Sequence, residues 1–445
     1  MKNIFRIVSI IFAFMMLVCV SACEVYNPQK DTEQTTDTYA FATPKEVGNY
    51  SSSLYKTEDY KRFKESLDQF SAEFTSAIYN QTPDKNHVVS PVSVFSALSL
   101  VSACTAGKTQ QEILDALNLD YQTLKNNFPL LFSRLNQERK MEGKLIEKLS
   151  FTNSIWMNSN IPFNQSLVST LENDFFSYGY LADFTGDNQK ACNDIENFIK
   201  QATNGLIDPT LIFDINTVAV LMNTLYLKDL WDCNGNTLSF TKDEQVFTKI
   251  DGTHILKKFL KGFYETGKPY VEQTFSHFYA KTLNGYKIKF IVPNEGYTIN
   301  DVWNTQNIKK ITNFNSYETV SHEKRELYYT NCIFPCFDAS YDGYISSLLK
   351  NSFGINDLFN KNNCDMTPLT SHTPTYADEI RHITTFTVDE YGIEGAAVTL
   401  MAMGISEPPP DYEEVYYNLL VDKAFGFIIT DFYDIPLFSG IINEI

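Results

Sequence analysis

Six histidines and many serines are the first places to look for chemistry in this 445-residue chain. No G-x-S-x-G elbow, H-E-x-x-H pair or phosphate-cradling glycine run sets any of them beside a partner. Cys332 and Cys336 flank Phe334-Pro335 in a run that reads as a strand, without the paired histidines that would complete a zinc ligand set. A surface hydrolase is therefore a remote reading, and neither metal nor cofactor is expected. The distinctive residues lie between Gly392 and Lys423. Gly392, Gly395, Ala396, Ala397, Ala402 and Gly404 are small, and no cationic side chain occurs before Lys423. Glu407-Pro408-Pro409-Pro410-Asp411 cannot run through a central strand. This is a long exposed loop, and loops of that length in a compact body tend to be functional or disordered.

Something rigid must hold such a loop. Hydrophobic residues make up 43% of the chain and aromatics 14%, enough to bury a large core. Phe63, Leu67, Phe70, Phe74 and Ile78 recur at helical spacing. A turn at Pro83-Asp84-Lys85-Asn86 leads to a second apolar run and to another helical pattern at Ile113, Leu114 and Leu117. Residues 217–231 read as a strand buried on both faces, and 281–293, 327–337 and 424–430 as further strands. Helices and strands mix without a βαβ rhythm, so the class is α+β.

The first 22 residues read as an export leader: Lys2 and Arg6, an apolar stretch from Ile7 to Val20, then Ser21-Ala22. Val20-Ser21-Ala22-Cys23 resembles the lipobox of bacterial lipoproteins, which makes Cys23 a lipid anchor. An ordinary secretory signal is the alternative. Residues 23–57 are mostly polar and are expected to be a flexible tether, with the folded domain at 58–445. The formal net charge is −18 and falls further without the leader, which excludes nucleic acid as a partner. Such a surface is repelled by anionic lipid, so the lipid anchor must supply the membrane attachment. The expected location is the cell envelope, at a bacterial outer membrane or cell surface, facing periplasm or exterior. Six cysteines remain in a compartment that permits disulfides, and their pairing stays open.

Eight ordered segments resemble those of the serpins, the serine protease inhibitor family, from about residue 60 to the C-terminus. They include Asn86-His87-Val88-Val89-Ser90-Pro91-Val92-Ser93, Gly107-Lys108-Thr109 through Leu114, Ile195 through Ile199 with Thr203-Asn204-Gly205, and Met222-Asn223-Thr224-Leu225-Tyr226-Leu227-Lys228 with Trp231. Phe334-Pro335-Cys336-Phe337, Gly354 through Phe359, Val388-Asp389-Glu390-Tyr391-Gly392 and Pro436-Leu437-Phe438-Ser439-Gly440 follow in the family's order.

The resemblance implies three β-sheets, a five-stranded main sheet among them, eight or nine helices, and an exposed reactive loop at about 390–423. It places Ser90, Ser93, Asn223 and His382 in a polar cluster beneath the main sheet, where strands must part, and Trp231 at the top of that sheet. It also implies that a target endopeptidase cuts the loop, and that the freed strand, hinged at Glu390, Gly392, Ile393, Gly395, Ala396, Ala397 and Thr399, enters the sheet and traps the acyl-enzyme. Residue chemistry allows this. In a strand, Ile393, Gly395, Ala397, Thr399, Met401 and Met403 share one face, all uncharged, and the other face carries one charge, Glu394. The family's spacing from Glu390 puts the scissile bond at Ser406-Glu407, and a small residue there suits elastase-like or subtilisin-like serine proteases, with cysteine proteases as a further class. Ile393 stands where inhibitory members usually carry threonine or serine and is expected to slow insertion. Cys336 takes a place that is often lysine, which removes a salt bridge to Glu390. A monomer is expected. A non-inhibitory serpin, acting as a binding protein or as a substrate, is the competing reading.

Overall fold

The computed structural model describes residues 40–141, 144–232, 237–393 and 412–445. The leader, Cys23, Gly395, Ala396, Ala397, Thr399, Ser406 and Glu407 lie outside the described residues. Nine helices are described: α1 (Glu58–Gln81), α2 (Pro91–Cys104), α3 (Gly107–Ala116), α4 (Tyr121–Arg134), α5 (Val168–Asn173), α6 (Asn188–Ala202), α7 (Ile299–Val302), α8 (Thr305–Thr312) and α9 (Ser346–Phe353).

The main sheet runs β1 (Ala40–Ala42), β5 (Ser177–Ala182), β4 (Lys144–Asn158), β6 (Ala219–Leu230), β18 (Gly392–Ile393), β17 (Arg381–Val388), β16 (Phe337–Tyr344), with β3 (Gln137–Met141) folded onto β4. A second sheet runs β11 (Tyr270–Val271), β12 (Phe275–Lys281), β13 (Lys287–Pro293), β20 (Phe425–Thr430), β21 (Pro436–Ile442), β2 (His87–Val89). The third joins β14 (Val320–Ser321), β15 (Glu326–Phe334), β10 (Leu260–Thr266) and β7 (Ser239–Phe240), with β19 (Glu413–Leu420) parallel to β15. A separate hairpin pairs β8 (Gln245–Thr248) with β9 (His254–Lys257). The three sheets and five long main-sheet strands match the expected architecture, with β1, β3 and β18 as additions.

Local chemistry explains the elements that carry the site. Helix α1 opens on Thr57, whose side chain accepts the Tyr60 N–H, with Glu58 and Asp59 in the positive first turn; Phe63, Leu67, Phe70, Phe74 and Ile78 are its buried stripe. Helix α2 starts with Pro91 and is buried almost throughout, because it packs against both β6 of the main sheet and β21 of the second. It is therefore apolar on every side, apart from serines that bond locally or reach the strands. Strand β6 differs from the expected two-sided burial: 224–227 are buried, but 219–223 are only half-buried.

The folded body begins earlier than residue 58. Ala40 pairs with Tyr180 and Ala42 with Gly179 on the edge of the main sheet, and Phe41 packs on Phe163 with ring centroids 4.3 Å apart. The apolar run Ala40-Phe41-Ala42 in a mostly polar stretch seats one short strand. Gly179 makes room for it, since a Cβ there would come within 2.6 Å of the Phe41 ring. Gly179→Ala is expected to lower stability by about 1–3 kcal/mol through overpacking, read as a lower urea midpoint; an unchanged midpoint would mean that β1 adjusts freely.

Candidate functional site

Strand β6 pairs with β4 from Ala219 to Asp229, and β17 pairs with β16 from Arg381 to Val388. Among the described residues no backbone pair joins β6 to β17. Only β18 lies between them: Ile393 sits opposite Asp229 on one side and Val388 on the other, and Gly392 opposite Leu230. Because β18 is antiparallel to both neighbours, β6 and β17 run in the same direction, an arrangement that accepts one antiparallel strand between them. The first two rungs are taken.

The turn that delivers these two residues is tightly fixed. The Asp389 carboxylate accepts the N–H groups of Tyr391 (2.8 Å) and Gly392 (3.1 Å), and the Asp389 N–H donates to the Gly392 carbonyl at 3.1 Å. Trp231, fully buried, donates its Nε1–H to the Asp389 carbonyl at 2.8 Å, and Leu238 N–H donates to the Glu390 carbonyl at 2.8 Å. A Cβ on residue 392 would lie 2.1 Å from the Asp229 carbonyl oxygen, so only glycine fits. Ile393 is fully buried in the main core. Its bulk was expected to slow insertion, but it already lies within the sheet, where a branched apolar side chain packs well. Cys336 neighbours Glu390: burial, then the charges of Glu390 and Asp389, push its thiol up to about 12. A neutral thiol offers no salt bridge to that carboxylate.

Asp229, at the mouth of this seat, gave no signal in the sequence. Its carboxylate accepts Leu230 N–H (2.9 Å) and both the side-chain amide (2.7 Å) and N–H (3.0 Å) of Asn284. Burial nevertheless pushes it up to about 6. Arg139 donates to the Asn284 side-chain oxygen at 2.9 Å and pairs with buried Glu147, the residue opposite Asp229 on β4.

The structure brings Ser90, Ser93 and His382 together and sets Asn223 in a separate group. On the β17 side, His382 Nε2 accepts Ser90 N–H at 3.1 Å and lies 2.8 Å from the Thr384 hydroxyl, and Ser90 Oγ donates to Ser93 Oγ at 2.9 Å. On the β6 side, Asn223 Nδ2 donates to Asn153 Oδ1 at 2.9 Å, which also accepts Ser96 Oγ–H at 3.0 Å. Ser90, Ser93 and Ser96 all stand at the start of α2, so this helix holds both halves. Asn223 Oδ1 is buried without a partner. Trp231 belongs to the hinge turn instead. Thr384, Asn153 and Ser96 were not anticipated; their common signal is a polar residue inside an apolar run. Among the described residues Cys104, Cys192, Cys332, Cys336 and Cys364 carry free thiols.

Burial lowers His382 from 6.5 to about 4, so the neutral imidazole accepts the Ser90 amide. The unfolded chain takes up this proton at higher pH than the folded one. Stability from His382 is thus complete above pH 6.5 and is lost progressively towards pH 4, by about 3 kcal/mol. Buried His87 and His277, lowered for the same first cause, add to the slope. His382→Gln, which keeps an acceptor, is expected to flatten the dependence of the urea midpoint on pH between 6.5 and 4. Equal slopes in parent and variant would remove His382 as the source.

The main sheet thus has two parallel central strands joined, among the described residues, only through the short hinge strand β18. The model of the serpin family, described as serine protease inhibitor, matches residues 65–445, and the chain belongs to that family. It is similar to alpha-1-antiproteinase of Callosciurus caniceps, 24% identical over 84% of this chain and 87% of that protein. Human neuroserpin is 24% identical over 78% of this chain and 83% of its own length. Among solved structures, the thermophilic serpin tengpin in its native state superposes with a TM-score of 0.72 at 20% identity, covering 92% of this chain and all of that one. Thyroxine-binding globulin in complex with thyroxine reaches 0.69 at 19%, covering 85% and 98%. Members of the family are protease inhibitors or binding proteins, not catalysts.

Proposed function

We propose that this protein is a single-use inhibitor of serine endopeptidases, with cysteine endopeptidases as a further target class, which seats its cleaved loop between β6 and β17. The observation that carries the reading is the placement of Gly392 and Ile393 between those strands. Their register, continued one residue per rung, brings Thr399 opposite both Asn223 and His382. Paired residues in an antiparallel ladder share a face, so the Thr399 hydroxyl arrives where Asn223 Oδ1 lacks a donor. Insertion would then join the two halves of the polar cluster.

The energetics support this direction. Roughly ten inserted residues gain ladder bonds on both sides, worth about 0.5–1.5 kcal/mol net each, together with apolar burial. An uncut loop is tethered at β17 and β19 and cannot insert fully, so the active form is held kinetically until cleavage releases it. The acyl-enzyme travels with the strand and is distorted before water attacks the ester.

Cleavage at Ser406-Glu407 favours proteases with small primary pockets, elastase-like or subtilisin-like. Cys23 would hold the monomer at a bacterial envelope through its lipid. The test is to mix the protein with such proteases and look for a covalent complex that survives boiling in detergent, with mass spectrometry of the released C-terminal fragment to fix the bond. Cleavage without complex would favour the substrate or binding-protein reading.

A further inference from the structure

Where the second and third sheets meet, the chain encloses a cavity of about 580 Å³, a volume that suits a small ligand. Tyr270 of β11, Phe314 and Tyr317 of the segment after α8, and Tyr417 of β19 line it together with Lys268 and Glu318. Three of the rings form one wall: the Phe314 centroid lies 4.4 Å from that of Tyr270 and 5.0 Å from that of Tyr317. The Tyr270 hydroxyl is held by Glu272, and the Tyr317 hydroxyl by His277 Nε2. His277 is fixed in turn, since its Nδ1–H donates to the Phe290 carbonyl at 2.8 Å. These tyrosines therefore contribute ring surface whose position is set from behind.

Lys268 and Glu318 form an ion pair, and the Lys268 N–H donates to the Glu318 carbonyl at 3.0 Å. Among the described residues they are the only charged members of the lining, so the cavity carries no net charge. An anion would meet Glu318, a cation would meet Lys268, and a wholly apolar ligand would strip water from both. Adjacent hydroxyls avoid all three costs, because a hydroxyl both donates and accepts: one donates to the carboxylate while its neighbour accepts from the ammonium. Ser276, Ser316 and Asn418 add further hydroxyl and amide groups. A glucose-type pyranose joins such hydroxyls at its rim to ring faces made of C–H bonds, which pack on the negative face of an aromatic ring. We propose that this cavity binds a neutral saccharide, its C–H face on the aromatic wall and its hydroxyls on Lys268 and Glu318. No lining residue belongs to β6, β17 or β18, so the site is separate from the strand seat and independent of the inhibitor reading.

Saturation-transfer NMR on the parent protein tests this with cellotriose and maltotriose, both neutral and built of glucose. At least one is expected to bind with a Kd on the order of 1 mM. Transfer should be strongest to its ring C–H protons, and the affinity should be the same at low and high salt, because no charge is exchanged. Tyr417→Ala, which removes a ring, and Lys268→Met, at a half-exposed position, are each expected to weaken binding about fivefold or more. Benzoate and 4-methylphenol, an anionic and a neutral aromatic, are run beside the sugars. No transfer to either trisaccharide, or full binding by either variant, would overturn the proposal. Benzoate or 4-methylphenol binding where both sugars fail would overturn it in favour of a flat aromatic ligand.

Discussion

Thr399→Arg is expected to convert the protein from inhibitor to substrate: cleavage continues at the parental rate, and the detergent-stable complex disappears. If the strand enters in the proposed register, residue 399 would come between Asn223 and His382, on the side of the sheet where Ser90, Ser93 and Ser96 of α2 bond to that cluster. His382 is neutral there, and no carboxylate belongs to the described hydrogen bonds of either half of the cluster. An unpaired guanidinium buried at that point costs several kcal/mol. If only about 3 kcal/mol of this falls on the insertion barrier, insertion slows more than a hundredfold, and hydrolysis of the acyl-enzyme wins. Thr399→Ser keeps the hydroxyl and should keep the complex. Parental amounts of complex from Thr399→Arg would show that the strand enters in another register or not at all.

Cutting the loop is expected to raise the melting temperature by about 10 °C or more. Insertion adds on the order of 10 kcal/mol from ladder bonds and burial. A body of about 400 residues unfolds with an entropy near 0.8 kcal/mol per kelvin, so the shift follows directly. Thr399→Val, which leaves Asn223 Oδ1 without its donor, should give back about 1–3 kcal/mol of that gain, or one to four degrees. Calorimetry before and after limited proteolysis measures both. A cleaved form that melts with the intact one would mean that the loop stays in solvent.

Much of this was legible in the residues, for reasons that differ from place to place. Helix α1 and the apolar strands announce themselves because one stripe or one run must be buried. The stretch from Gly392 to Lys423 reads as one loop because it lacks cationic residues. The structure corrects its ends, since Gly392–Ile393 is β18 and Glu413–Leu420 pairs with β15 as β19, and 394–411 lies outside the described residues. The alternation that keeps one face uncharged agrees with the burial of Ile393. Three features were hidden because they depend on which strands lie side by side. Phe41 and Ala42 look like interruptions in a tether until Gly179 is placed beside them. Ile393 looks bulky until Asp229 and Val388 are seen to flank it. Asp229 itself reads as one more surface acid, and only the fold brings Asn284 and the hinge to it. Motif positions put Ser90, Ser93, Asn223 and His382 in one cluster, and only the distances separate Asn223 from the other three.

Hydrogen–deuterium exchange, before and after loop cleavage, tests the central claim most directly. In the intact protein the amides of 219–228 on β6 that point away from β4, and those of 381–387 on β17 that point away from β16, lack a described ladder partner. Cleavage is expected to slow their exchange by at least tenfold, while amides already paired to β4 and β16 change little. Unchanged exchange along both strands in a fully cleaved sample would contradict it.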